Sequence, residues 1–239
     1  MTAHVPTRPG LLASVATLDE MRVALSAGVD IVDLKNPAEG ALGAWAPDAL
    51  SEAVALWRAA GAPGSLSATV GDHPLDPDLL RAAAERTAAT GVPLVKIGFA
   101  FGDGARLPPV LDALRPLARE TRLIAVLFAD QAPDFAVMPL FAAAGFHGVM
   151  LDTADKAAGG LLAHMGVETL ARFVATARAE RLLTGLAGSL KVADIASLAA
   201  LRPHYLGFRG ALCAEGRTSA LDPLRLAAVR DTLGGRILA

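Results

Sequence analysis

The chain has 239 residues, of which 53% are hydrophobic and only 5% aromatic, so alanine, leucine and valine must supply most of a sizeable core. Its 22 basic and 24 acidic residues nearly balance, which excludes a global field that would favour nucleic acid or a membrane surface. The single Cys213 excludes an intrachain disulfide, and no apolar run predicts a secretory signal or a spanning helix. We therefore expect a cytoplasmic protein whose partner is a small molecule.

Short apolar runs alternate with alanine-rich amphipathic segments eight times along the chain. The runs are continuously apolar, which is typical of parallel strands buried on both faces. The predicted strands are Leu11–Ala16, Ile31–Asn36, Leu66–Val70, Leu94–Phe99, Leu123–Phe128, Gly148–Asp152, Leu183–Gly188 and Leu206–Gly210, and the helical segments include Leu18–Ser26, Asp76–Thr90 and Val167–Glu180. Gly28, Gly91 and Gly145 are predicted to end helices that lead into the next strand.

Alternation of strand and helix predicts a parallel sheet with right-handed crossovers. Eight such units in 239 residues favour closure, so we expect an α/β fold, a single (β/α)₈ TIM barrel over residues 1–239 with residues 1–10 as an N-terminal extension. The structural alternative is an open Rossmann-like sheet. That fold would want a Gly-x-Gly-x-x-Gly turn after the first strand, and residues 17–20 read TLDE instead.

Lysine is scarce, with only four lysines among the 22 basic residues. Arginine and lysine are interchangeable on most solvated surfaces, but only lysine can lose its proton and attack a carbonyl group. Lys35 ends the second predicted strand, Lys96 lies in the fourth and Lys156 follows the sixth. Because the active sites of α/β barrels lie at the carboxyl ends of the strands, we expect these three lysines to converge on one mouth.

Two carboxylates accompany the lysines. Asp33 precedes Lys35 by two residues, so strand periodicity places both side chains on one face, and Asp152 ends the sixth predicted strand. A second cation and burial both disfavour an ammonium group, so we predict that Lys96 keeps Lys35 neutral for attack while the carboxylates balance charge and shuttle protons. Ordinary strand-end ion pairs are the alternative. We favour function, because burying several charges without a task is costly.

A second site is predicted for an anion. Gly188 and Ser189 close the seventh predicted strand, and Arg209 and Gly210 close the eighth. The loops after strands seven and eight commonly bind phosphate in barrels, because glycines admit an anion to backbone N–H groups and a helix beginning near Ser189 would direct its positive end there. Arg209 could add a bidentate contact, and Lys191 could help from the helix start. Tight turns without a ligand are the alternative.

Other polar residues give weaker signals. Asp72 follows the third predicted strand directly, so we expect it to bind substrate. No spacing of His, Asp and Glu predicts a metal site, and no cofactor is expected.

Seven short motifs give the chain a family resemblance. They read VDLKNP (32–37), EGALGA (39–44), SATVGD (67–72), VKIG (95–98), MLDTA (150–154), LAGSL (186–190) and RGA (209–211). In this order and spacing they resemble the (5-formylfuran-3-yl)methyl phosphate synthase family, also called 4-(hydroxymethyl)-2-furancarboxaldehyde-phosphate synthase. The resemblance covers nearly the whole chain after the first ten residues.

The resemblance implies an activity that joins two molecules of glyceraldehyde 3-phosphate into a phosphorylated furan aldehyde, with loss of phosphate and water, for methanofuran or methylofuran synthesis. It implies that Lys35 is the Schiff-base lysine and Lys96 the proton acceptor, and that Asp33, Asp152 and Lys156 occupy further active-site positions. We also expect a homo-oligomer, because barrels often assemble through helix faces.

Three alternatives stay open from the residues. A class I aldolase of the deoxyribose-phosphate type would share the lysine pair and the phosphate site. A non-catalytic barrel could bind a sugar phosphate as a sensor. Isomerase-like acid–base chemistry would want Glu or His at a strand end, where only Glu39 and His73 come near.

Overall fold

The computed structural model describes residues 8–100 and 106–234. Within these ranges eight parallel strands pair in sequence order, and the first strand also pairs with the eighth, which closes the sheet into a barrel. Helices lie between the strands. The predicted α/β class and the TIM barrel are therefore confirmed, and the open Rossmann-like alternative is wrong.

The strands are β1 (Gly10–Val15), β2 (Ile31–Leu34), β3 (Ser65–Thr69), β4 (Leu94–Phe99), β5 (Arg122–Phe128), β6 (Gly148–Asp152), β7 (Leu183–Leu186) and β8 (Tyr205–Phe208). The α-helices are α1 (Leu18–Ser26), α2 (Pro47–Ala59), α3 (Pro77–Ala89), α4 (Leu107–Ala118), α5 (Met138–Ala143), α6 (Leu161–His164), α7 (Val167–Ala179), α8 (Ile195–Ala200) and α9 (Pro223–Leu233). Short 3₁₀ turns cover Pro37–Glu39, Ala129–Gln131, Phe135–Val137, Val192–Asp194 and Gly210–Leu212.

Strands β7 and β8 end two residues earlier than the sequence predicts, at Leu186 and Phe208. After β7 the backbone turns instead, because Gly188 takes a φ of 106° and Ser189 a φ of 48°, neither of which is extended. The loops that carry the predicted phosphate site are therefore longer than expected. Of the predicted N-terminal extension, residues 1–7 lie outside the described residues, and Gly10 already belongs to β1.

Apolar residues pack on both faces of the barrel sheet. Residues that point outward pack against the helices in one large core, whereas a smaller cluster fills the barrel interior. The interior cluster includes Leu12, Ile124, Met150 and Tyr205, and it lies below the polar residues at the carboxyl ends of the strands. The barrel is thus a packed support for its mouth, as expected for this architecture.

Two glycines make room for the interior packing. A Cβ atom on Gly98 would lie 2.6 Å from Cδ1 of Leu42, which comes from the loop after β2. A Cβ atom on Gly185 would lie 2.2 Å from the ring of Tyr205. Leu42 therefore closes part of the barrel top, and the open space at the mouth is restricted to the remaining strand ends.

No helix in the two described ranges is long and apolar enough to cross a membrane.

Candidate active site

A chamber of about 530 Å³ opens at the carboxyl ends of the strands, a volume in the usual range for small-molecule sites. Lys35, Lys96, Asp152 and Lys156 line one side of it. The three lysines come from β4 and from the segments just after β2 and β6. They line the same chamber, as the sequence predicts, while their chemical roles stay predictions. Strand periodicity explains this placement, because alternate residues of parallel barrel strands face the interior.

Asp33 and Lys96 form a buried ion pair at the floor of the chamber. Lys96 Nζ donates to Asp33 Oδ2 across 2.9 Å. Ser14 Oγ donates to the same oxygen at 2.9 Å, and Ser67 Oγ donates to Asp33 Oδ1 at 2.6 Å. Burial raises the pKa of Asp33, but the charges of Lys96 and Lys35 and the Ser67 hydrogen bond outweigh it, so the pKa lies below its usual value.

Asp152 joins the other two lysines. Lys35 Nζ lies 3.4 Å from Asp152 Oδ2, and Lys156 Nζ lies 2.5 Å from Oδ1 of the same carboxylate. The remaining donors of Lys156 go to the carbonyl and hydroxyl oxygens of Thr153. Burial lowers the pKa of Lys156, Asp152 opposes this, and Lys35 lowers it further. Lys35 thus has the least constrained amine of the three, with one long contact.

The loops after β7 and β8 form the opposite side of the chamber. Gly188, Ser189, Lys191 and Gly210 all line it. Within the described ranges, the backbone N–H groups of Gly188, Ser189 and Gly210 donate to no protein acceptor, so they are available to an anion. Lys191 is exposed at the rim, with its backbone N–H bonded to Asp194. The helix that we expected to begin near Ser189 begins later in the chain. A 3₁₀ turn and then α8 begin only after Lys191.

Arg209 does not offer the bidentate phosphate contact that we expected. Its guanidinium pairs with the carboxylate of Glu20 on α1 through both terminal nitrogens. The other donors go to the carbonyl oxygens of Ser14, Arg217 and Ser219. All five N–H groups therefore have protein acceptors, and Arg209 holds the loop after β8 against the barrel.

Asp72 does not line the chamber where we expected it to bind substrate. Both of its carboxylate oxygens accept from the backbone N–H of Leu42, each at 3.2 Å. A Cβ atom on Gly40, whose φ is 104°, would lie 2.1 Å from Asp72 Oδ2. Asp72 therefore supports the loop after β2 that closes part of the barrel top.

Similarity to known proteins agrees with the motifs. The family model for 4-HFC-P synthase matches residues 11–230. The chain belongs to the 4-HFC-P synthase family. This family is one of enzymes, and the match extends from β1 to α9.

Two relatives show the extent of the likeness. A family member from Methylorubrum extorquens is 42% identical over 221 residues, which cover 92% of this chain and 89% of that protein. The (5-formylfuran-3-yl)methyl phosphate synthase of Archaeoglobus fulgidus is 32% identical over 88% of this chain and 93% of its own length.

Solved structures support the fold of this 4-HFC-P synthase family member. Phosphoribosyl anthranilate isomerase from Thermus thermophilus matches with a TM-score of 0.63 at 15% identity, over 95% of this chain and 98% of that chain. KGPDC from Streptococcus mutans matches with a TM-score of 0.61 at 12% identity, over 98% of this chain and 100% of that chain. At these identities the likeness concerns the barrel alone.

Sequence reasoning missed three contributors to the mouth of this 4-HFC-P synthase family member. Ser14 and Ser67 hold the carboxylate of Asp33, and Arg217 lines the chamber from the loop after β8. Ser14 and Ser67 could have been found, because each shares the inward face of a strand next to Asp33. Arg217 lies in an irregular loop, where no strand or helix periodicity predicts which way its side chain points.

The buried carboxylates predict a loss of stability in acid. Folded Asp33 and Asp152 have pKa values below the unfolded value of about 3.9, so the unfolded chain binds protons more readily. Their contribution is present above about pH 4 and lost as pH falls towards the folded values, by up to about 1.4 kcal/mol per pH unit for each group. Urea unfolding from pH 6 to pH 3 measures this. Asp152→Asn should give a shallower decline, and an equal slope in both proteins would contradict the assignment.

Proposed function

We propose that the protein condenses two molecules of glyceraldehyde 3-phosphate into (5-formylfuran-3-yl)methyl phosphate through a Schiff base on Lys35. The observation that carries this proposal is that the Lys35 and Lys96 amines line the same chamber as three backbone N–H groups that donate to no protein acceptor in the described ranges. The names of the relatives from Archaeoglobus fulgidus and Methanococcus aeolicus supply the product.

The first steps form an enamine. Lys35 Nζ attacks the carbonyl carbon of one triose phosphate, and loss of water gives an iminium ion. Lys96 gives its proton to the departing water and, as a neutral amine, then accepts the proton of the neighbouring C–H bond, which the iminium has acidified. Asp152 lies beside Lys35 and Asp33 beside Lys96, so each carboxylate stabilises the charge on its own nitrogen.

The later steps join the two trioses. The enamine carbon attacks the aldehyde carbon of the second triose. The aldehyde oxygen takes a proton from Lys156, which lines the chamber. Ring closure, elimination of one phosphate and of water, and hydrolysis of the imine then release the furan aldehyde and free Lys35. The balance from two trioses is one phosphate and two waters lost, with no net oxidation or reduction.

The phosphate group of one triose is assigned to the loops after β7 and β8. Gly188, Ser189 and Gly210 offer backbone donors, and Lys191 adds a positive charge at the rim. Such donors bind an anion without a change of backbone shape, since Gly188 already holds the positive φ that directs the turn. We further propose that the product serves methanofuran or methylofuran synthesis.

Product analysis tests the proposal. We expect purified protein incubated with glyceraldehyde 3-phosphate to form a near-ultraviolet-absorbing compound with the mass of the furan aldehyde phosphate, together with free phosphate. A deoxyribose-phosphate-type aldolase would instead join acetaldehyde to the triose and release no phosphate. A sensor would consume nothing. Either of these results would overturn the proposed function.

A further inference from the structure

The chamber carries more positive charge than one phosphorylated substrate needs. Seven basic side chains of the described residues line it, against the single carboxylate of Asp152. Neighbouring carboxylates neutralise three of the cations, because Lys96 pairs with Asp33, Arg209 with Glu20 and Arg225 with Asp222.

Before Lys35 attacks, and with every lysine counted as a cation, three positive charges remain once these pairs are set aside. Lys35 and Lys156 share the one carboxylate of Asp152, which leaves one charge of excess. Lys191 and Arg217 have no carboxylate partner within the described ranges. A phosphate monoester carries about −1.5 to −2 at neutral pH, so one bound phosphate would leave the chamber with an uncompensated positive charge, whereas two would use all of it.

The ion pair between Arg209 and Glu20 also holds the backbone of Arg217 in place. Arg209 Nε donates to the carbonyl oxygen of Arg217 at 2.8 Å, and its Nη2 donates to that of Ser219 at 2.9 Å. Leu221 N donates to Glu20 Oε1 at 3.2 Å, so both members of the ion pair bind the loop after β8. The buried ion pair of Arg209 and Glu20 therefore fixes the backbone at Arg217.

The side chain of Arg217 reaches over the mouth towards the loop after β2. Its Nη2 donates to the carbonyl oxygen of Gly40 at 2.9 Å, and within the described ranges its Nε and Nη1 have no protein acceptor. Burial lowers the pKa of the half-buried guanidinium, Asp152 opposes this, and Arg217 in turn lowers the pKa of Lys156. Arg217 thus lies close enough to influence the charge of Lys156, and it faces the chamber from the β2 side.

We propose that Arg217 binds the phosphate group of the second triose phosphate, so that the chamber holds two phosphorylated substrates at once. The inference rests on the proposed function. The loops after β7 and β8 hold one phosphate through backbone donors. Arg217 Nη2 uses one of its two N–H groups on Gly40, so the other N–H can pair with the unbonded Nε or Nη1 beside it in bidentate contact with the second phosphate.

Binding of inorganic phosphate gives a test that does not depend on turnover. Calorimetric titration of the whole protein should show two phosphate ions bound per chain in the wild type and one in Arg217→Gln. Arg225→Gln is the matched control, since it removes the same charge from the same rim but leaves Arg217 in place, and it should still bind two. Equal stoichiometry in the wild type and Arg217→Gln would overturn the proposal.

Kinetics separate the second triose from the first. In Arg217→Gln the yield of borohydride-trapped adduct on Lys35 should be unchanged, while the glyceraldehyde 3-phosphate concentration for half-maximal furan formation rises about 10- to 100-fold, the usual cost of one charge-assisted contact. Arg217→Lys should recover part of this, because it keeps the charge without the fork. Equal losses of adduct and furan, or no loss of either, would refute the assignment.

The two proposals fail in different ways. If the wild-type protein forms neither adduct nor furan, the proposed function is wrong, whereas the phosphate stoichiometry still reports whether Arg217 binds an anion. If the wild type is active and Arg217→Gln equals it in every measurement, only the assignment of Arg217 is wrong.

Discussion

Replacing Lys35 with arginine is expected to lower turnover on the order of 10⁴-fold or more, as when a covalent nucleophile is removed from other enzymes. Arginine keeps a positive charge beside Asp152, but its guanidinium does not lose a proton and forms no imine. The measurement is the rate of furan aldehyde formation from glyceraldehyde 3-phosphate by the variant and the wild type.

The control for this prediction is Lys191→Arg, which makes the same chemical change at the rim of the same chamber. Lys191 is assigned only a charge, so this variant should keep most of the turnover. Both variants should unfold at nearly the wild-type temperature, since each retains its cation. A Lys35→Arg protein within about tenfold of wild-type turnover would exclude covalent catalysis at this position.

Lys96→Met is expected to have two separate effects. Loss of the proton acceptor should lower turnover about 10²- to 10⁴-fold. The free energy of unfolding should also fall by about 3–5 kcal/mol, because Asp33 is then buried without its ammonium partner. The side chains are 2% and 1% exposed, so solvent cannot take the place of the lost charge. Urea unfolding measures the second effect and furan formation the first.

A double variant distinguishes the two effects. Asp33→Asn combined with Lys96→Met removes both charges, and the amide oxygen of the new side chain can still accept from Ser14 or Ser67. We expect this protein to recover most of the stability lost in Lys96→Met, because neither charge is left unpaired. Turnover should stay low. Recovery of turnover along with stability would show that Lys96 acts only through the fold.

The barrel and its lysines could be predicted from sequence because they depend on local periods. Continuous apolar runs define the buried strands, and Lys35, Lys96 and Asp152 take their direction from the two-residue repeat of those strands. Their approach follows from the closure of the barrel, which brings every strand end to one mouth.

The roles of Arg209 and Asp72 could not be predicted, because their partners lie far away in the sequence. Glu20 precedes Arg209 by 189 residues, and only the pairing of β1 with β8 brings α1 next to the loop after β8. Asp72 accepts from a backbone group of Leu42, 30 residues earlier, which depends on how that loop folds over the barrel. Neither contact leaves a pattern in composition or spacing.

The glycines after β7 and β8 indicate only half of the predicted anion site. A turn at Gly188 is expected from the residue type, and its φ of 106° agrees. The sequence does not indicate how far the backbone departs from the strand, since Ser189 also takes a positive φ. That departure moves the first helical turn beyond Lys191, so an anion at the proposed site would meet the N–H groups of the loop rather than the start of a helix.

The most direct test of the account is reduction with borohydride while glyceraldehyde 3-phosphate is bound, followed by peptide mass spectrometry. We predict one stable triose phosphate adduct, located on the peptide that carries Lys35, and no adduct in Lys35→Arg. A wild-type protein that forms the furan but gives no adduct, or gives it on Lys96, Lys156 or Lys191 instead, would contradict a Schiff base at Lys35.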